Sequence, residues 1–144
     1  PIAFMIEFIY NTTNSLSNQK TITSWLLFVA KSEGLVLEKM LYNFVTLERI
    51  REINKKHLSH DYATDIITFD YSENDIVSAE AFICQDQVIE NARNFKQSVD
   101  NETLRVLCHA ILHLAGHRDK TKHEVAQMRK KEDHYLGLYN TTFK

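Results

Sequence analysis

The sequence predicts an α+β fold: one layered domain over residues 1–144, with a mixed sheet of about four strands packed against about five helices. Three observations carry this reading. Short runs of branched and aromatic residues alternate along the chain with longer segments whose apolar residues recur at three- and four-residue spacing. Two strand-like segments in the middle are joined by only a short polar link, the pattern of a hairpin. One proline and three glycines in 144 residues leave no room for linkers or low-complexity tracts.

The elements follow in order. "AFMIEFIY", from Ala3 to Tyr10, is short and β-branched or aromatic, hence a strand. Residues 11–17 are polar except Leu16 and form a loop. "KTITSWLLFVAKSEG" sets Ile22, Trp25, Leu26 and Val29 at helical spacing, with Gly34 as the stop. From Leu35 to Thr46 comes a second strand region, in which Leu41, Asn43 and Val45 alternate with Tyr42 and Phe44. Thr46 then caps a helix over "LERIREINKKH", with Leu47, Ile50 and Ile53 on its apolar face. After the polar connection "LSHDYAT", "DIITFDY" and "IVSAEAFIC" (Ile76 to Cys84) are strands, and "SEND" between them predicts their pairing. "DQVIENARNFKQS" is helical, with Val88, Ala92 and Phe95 on one side and Asp86 as the cap. A further helix starts at the cap Asn101 and carries Leu104, Leu107, Ile111 and Leu114. A last one gathers around Val125, Met128 and Leu136.

Composition narrows the class. With 44% apolar and 25% charged residues the balance is that of an ordinary globular domain able to bury a core. No apolar run approaches the roughly 18 residues of a membrane-spanning helix. "PIAFMIEFIY" has neither a basic region nor a cleavage site, so the expected location is the cytoplasm. Cys84 and Cys108 are not in a C-x-x-C pair and are expected as reduced, buried thiols. A net charge of −2 gives no global attraction to nucleic acid, so contact with RNA needs a local patch. Arg51, Lys55 and Lys56 form one candidate. The series from Arg118 to Lys131 is interleaved with acids and reads as a solvated helix face.

Chemistry concentrates in "HAILHLAGHRD", residues 109–119. His109 and His113 are four apart on a helix, which puts them on one face about 5–6 Å apart at Cβ. Two imidazoles so placed can converge on one ion at about 2.0–2.1 Å. A third ligand cannot continue along the same helix, since eight residues cover about 12 Å at 1.5 Å each. The helix must stop and the chain must return. Gly116 supplies the stop, as glycine accepts the left-handed conformation that ends helices. Asp119, three residues past it, is the expected third ligand; His117 is its competitor and His123 a more distant one. Three protein ligands leave one coordination position open, the mark of a catalytic zinc site able to activate water. Ala110 stands where H-E-x-x-H proteases carry their glutamate base, which disfavours peptide hydrolysis by that route.

"HAILHLAGHRD" resembles the H-G-x-L-H-L-x-G-Y-D-H signature of the YbeY endoribonucleases, the bacterial rRNA maturation factors. "DYATDIITFDY" (Asp61 to Tyr71) is similar to that family's upstream D-x-P-T-D-V-L-S-F segment. The resemblance implies His109, His113 and Asp119 as ligands of one zinc ion per chain, with Asp119 where most members have histidine. An aspartate there lowers the net charge of the site and makes the metal a weaker Lewis acid. It implies a single-strand-specific endoribonuclease in ribosome quality control and 3′-end maturation of small-subunit rRNA. Its partners would be rRNA and the small ribosomal subunit or its assembly factors. The family's RNA-contacting arginine falls on Leu58 here, with Lys55, Lys56 and His60 as candidate substitutes. Asp65 also matches a family position, in either a strand-start or a catalytic role. Two other functions compete: a non-catalytic zinc-containing ribosome-assembly factor, and a small metalloprotease.

Overall fold

The computed structural model describes residues 5–12, 15–58 and 64–144. Ala3 and Phe4 of the first predicted strand, and Ser59 to Ala63 of the polar connection with its candidate His60, lie outside them. The order of elements is β1 (Met5–Tyr10), α1 (Gln19–Ser32), β2 (Val36–Val45), α2 (Leu47–Leu58), β3 (Ile66–Asp70), β4 (Ile76–Cys84), α3 (Gln85–Asn94), α4 (Val99–Leu114) and α5 (Lys122–Leu138). A single π-helical turn, Tyr139–Phe143, follows α5.

The four strands form one mixed sheet in the order β1-β2-β4-β3. β1 and β4 flank β2 in parallel, and β3 runs antiparallel to β4 at the edge. The β3–β4 link turns through Asn74 and Asp75, both at positive φ (51° and 64°), while Glu73 and Ile76 exchange backbone hydrogen bonds of 3.1 and 2.9 Å. That is a two-residue turn whose twist matches the flanking strands.

Both sheet faces are covered. On one face Phe8, Met40, Tyr42, Phe44, Ala79, Ala81 and Ile83 pack with Trp25, Leu26 and Val29 of α1 and Leu107, Ile111 and Leu112 of α4. α5 adds Met128, Tyr135 and Leu136 to this core. On the other face Val45, Ile67 and Cys84 meet Ile50 and Ile53 of α2. Central β2 therefore buries Tyr42, Asn43, Phe44 and Val45 in succession, as a strand covered on both sides must. Hydrogen bonds pin the large core: Trp25 Nε1 donates to the Tyr135 carbonyl at 2.8 Å, and the Tyr42 hydroxyl to the Leu107 carbonyl at 2.8 Å. Both cysteines are free and buried. Among the described residues no helix is long and apolar enough to cross a membrane.

Several expectations need correction. α4 begins two residues before Asn101: Ser98 is the cap, its hydroxyl accepting from the Asn101 amide at 3.0 Å. Serine at this position satisfies an orphan amide as well as asparagine does, so side-chain chemistry alone does not choose between them. Asp86 lies inside the first turn of α3, whose cap position is Cys84; a carboxylate there faces the positive end of the helix dipole instead of capping it. Val125 is 49% exposed, although α5 turns Met128 and Leu136 inward as expected, with Tyr135 beside them. Phe95 is 52% exposed, because α3 stops at Asn94 and the chain veers before its ring can follow Val88 and Ala92 into the core.

Candidate metal centre

The end of α4 decides the geometry. Gly116 sits at φ +99°, its amide donates to the His113 carbonyl at 3.0 Å, and the His117 amide donates to the Leu112 carbonyl at 3.0 Å. This paired closure ends the helix abruptly and reverses the chain. A residue other than glycine would be strained at that φ. Thr121 and Glu124 then start α5 with a reciprocal cap, so Asp119 is held in a short bridge between two fixed helix ends.

The reversal carries Asp119 back over α4. Its Oδ2 lies 3.2 Å from Nε2 of His109 and 3.2 Å from Nε2 of His113. The two imidazoles meet edge to face with centroids 4.5 Å apart. One donor atom from each of the three residues falls within 4.8 Å of the others, a set that could hold a metal ion. The spacing suits zinc: bonds of about 2.0–2.1 Å in a tetrahedron put ligand atoms roughly 3.3 Å apart. Side-chain exposures of 21%, 35% and 38% for His109, His113 and Asp119 leave one side of the group open to a substrate.

His109 is anchored from behind. Its Nδ1 lies 2.6 Å from Oε2 of Glu132, a buried carboxylate of α5. With Glu132 accepting from Nδ1–H, the Nε2 lone pair points at the cluster, an arrangement typical of metal-bound histidines. Burial works against protonating this ring, but the bond to Glu132 and the charges of Glu132, Asp119 and Asp65 outweigh it and raise its pKa. Glu132 is held in turn by Arg105, whose Nη1 donates to Oε1 at 3.0 Å while Nη2 reaches Asp133 at 2.6 Å.

His117 points elsewhere. Its Nε2 lies 2.6 Å from Oε1 of Glu33, the residue that ends α1. Glu33 also accepts from Lys131 Nζ at 3.0 Å and from the Tyr135 hydroxyl at 2.5 Å. Burial opposes its ionisation, yet the bonds from Tyr135, His117 and Lys131 prevail and lower its carboxyl pKa to about 2. The ends of α1 and α4 are thus tied together, and the His117 ring belongs to that tie. His123 lies in the exposed first turn of α5, outside the cluster.

Two cavities flank the cluster. One of about 580 Å³ is bordered by Asn54, Asp65, Thr68, His109, His113 and Asp119. The other, about 280 Å³, lies between Asp65, Phe95, Glu102, His109, Asp119 and Arg129. Asp65, on both walls, directly precedes β3; its carbonyl accepts from the Cys84 amide at 2.9 Å and its carboxylate from Asn91 Nδ2 at 3.4 Å. Burial raises its carboxyl pKa against the opposing pull of His109. Lys55 and Lys56 are exposed on the last turn of α2 and follow Asn54, which borders the larger cavity. Ala110 is fully buried, so position 110 faces the core and not the cluster.

Sequence reasoning did not find Glu132 or Glu33. Glu132 stands beside Asp133 in a helix rich in charge and Glu33 at the end of α1, and nothing in the local pattern marks either side chain as buried.

The family model for endoribonuclease YbeY matches residues 7–140. The chain belongs to the YbeY family. Relatives named endoribonuclease YbeY include that of Flavobacterium johnsoniae, 38% identical over 136 residues, 94% of this chain and 98% of the relative. That of Phocaeicola vulgatus is 42% identical over 120 residues, 83% and 87% of the two chains. The solution structure of a Thermotoga maritima protein superposes with a TM-score of 0.63 at 29% identity, covering 95% of this chain and 93% of that one. As a YbeY endoribonuclease the chain is a hydrolytic nuclease.

Proposed function

We propose that this protein is a zinc-dependent, single-strand-specific endoribonuclease acting in late-stage ribosome quality control and in maturation of the 3′ end of small-subunit (16S) rRNA. Its partners on this reading are rRNA and the small ribosomal subunit or its assembly factors. The observation that carries the proposal is the convergence of His109, His113 and Asp119, with Asp119 Oδ2 3.2 Å from Nε2 of each histidine, in a chain of a family named for RNA cleavage. Two nitrogens and one carboxylate oxygen, with one side open, form a donor set that suits catalytic zinc. When bound there, zinc supplies Lewis acidity toward a phosphoryl oxygen.

The remaining work falls to the chain. Glu132 fixes the tautomer and direction of His109. Since position 110 is buried, a proton acceptor must come from another element. Asp65 is our assignment: it lines both cavities beside the cluster, and its raised pKa brings it nearer the working range of a general base. It would take the proton of the attacking hydroxyl, the RNA's own 2′-hydroxyl or a water, as the bond from phosphorus to the leaving ribose oxygen breaks and that oxygen takes a proton from solvent.

Incubating purified protein with labelled single-stranded RNA and with casein, with and without a chelator, tests the reading. Chelator-sensitive RNA cleavage is the expected result. Casein cleavage would make the protein a protease, and cleavage of neither would leave it a non-catalytic assembly factor.

A further inference from the structure

Phe95 is the anomaly of the smaller cavity. A large aromatic ring, 52% exposed, stands at the lip of a space of about 280 Å³ whose wall includes His109 and Asp119. The guanidinium carbon of Arg129 lies 5.2 Å from its ring centroid. The two come from different helices, α3's end and α5, so the pairing is set by the fold and not by local sequence. In the same wall Glu102 is 3% exposed, and its Oε1 has no hydrogen-bond partner among the described residues. Arg105 Nε, 3.9 Å away, has none either.

We propose that Phe95 and Arg129 form a stacking subsite for one unpaired nucleobase of a single-stranded RNA whose adjoining phosphate reaches the metal centre. This rests on the ribonuclease reading and adds to it a place where the substrate is gripped.

Three features favour RNA as the occupant. An exposed aromatic ring beside an arginine is a flat platform for the face of any base, and stacking of this kind tolerates all sequences. Charge is sorted by depth. Arg129 lines the cavity from α5, and the exposed Lys96 directly follows Phe95, while the exposed Arg93 is paired with Glu90 at 3.2 Å. The carboxylates of Glu102 and Glu132 are buried in the wall, where Glu132 is engaged with His109 and Arg105, and the more exposed Asp119 is engaged with the two histidines. A phosphate backbone passing Arg129 and Lys96 meets positive charge while its base turns toward Phe95. Finally, a base inside a duplex has both faces covered and cannot use the platform. The subsite therefore supplies a physical cause for single-strand preference, which the metal cluster alone does not.

The test uses the metal-loaded full chain and a fluorescent 2′-O-methyl RNA oligonucleotide, which cannot be cleaved through its 2′ position. Binding by anisotropy is compared for the parent, Phe95→Ala, Phe95→Trp and Arg129→Lys, with the same sequence as a duplex alongside. Phe95→Ala should weaken single-strand binding about tenfold. Phe95→Trp should retain it, and duplex binding should be weak and unchanged in all. With cleavable RNA, KM should rise in Phe95→Ala while kcat stays within about twofold, since stacking holds substrate and transition state equally. Metal content should be unaltered. If the parent cleaves RNA but Phe95→Ala binds as tightly, the subsite is wrong and the proposed function stands. If Phe95→Ala loses duplex and single-strand binding alike, the face is a general polyanion surface and stacking is excluded. If the parent neither binds nor cleaves single-stranded RNA, both readings fall.

Discussion

Nδ1 of His109 and Oε2 of Glu132 are 2.6 Å apart, although the two residues sit on different helices and 23 positions apart in the chain. The bond couples the packing of α5 to the aim of the imidazole. Glu132→Ala should weaken metal binding about 10–100-fold by removing the partner that orients the ring. Folding stability should fall as well, because the partly buried Arg105 loses one of its acceptors. Glu132→Gln, which keeps an acceptor of the same shape, should lose less. Chelator competition and thermal melts of the three proteins check this.

Substitutions at the turn discriminate between the candidate third ligands. Asp119→Ala should largely abolish metal binding, while His117→Ala should keep one metal per chain, since its ring faces Glu33. Asp119→His should retain the metal. Elemental analysis that found His117→Ala empty and Asp119→Ala loaded would require a different ligand set.

For Asp65 the decisive variant is Asp65→Asn, nearly isosteric and unable to take a proton. RNA cleavage should drop on the order of 10²-fold or more in kcat with metal content unchanged. Full activity would confine Asp65 to its structural place before β3.

Glu33 makes stability depend on acid. Its carboxyl ionises near pH 2 in the folded chain against an ordinary value of 4.5, so its folded pKa is depressed. The stabilisation is complete above about pH 4.5 and is lost as pH falls toward 2. Glu33→Gln should be less stable than the parent at pH 7, by on the order of 2–3 kcal/mol. Urea unfolding followed from pH 7 to pH 3 should show the gap narrowing below about pH 4.5. A gap independent of pH would mean that the charge of Glu33 is not what ties α1 to α4.

Much of this molecule was legible in the sequence because the relevant signals are local. The alternation of strand and helix segments, the hairpin at "SEND", the His109–His113 pair and the glycine that turns the chain back toward Asp119 all lie within a few residues of their consequences. The misreadings have the same origin in reverse. Ser98 and Asn101 differ by three residues, both competent caps, and Asp86 and Cys84 by two, where the cap position makes no side-chain bond. Val125 and Phe95 fit an apolar period, but whether α5 and the end of α3 turn them inward depends on neighbours far along the chain. Glu33 and Glu132 depend on contacts 84 and 23 residues away and gave no local sign.

The compactness of the turn after α4 reaches beyond the folded molecule. All three candidate ligands lie between residues 109 and 119, so drawing them together closes only short loops, at small entropic cost. A chain still being synthesised exposes this segment before Glu132 has been added, and can take up an ion before the imidazole is anchored. The unfolded chain would keep some of that affinity. Added metal would then raise the melting temperature by less than the affinity of the finished site alone implies, because both states bind it.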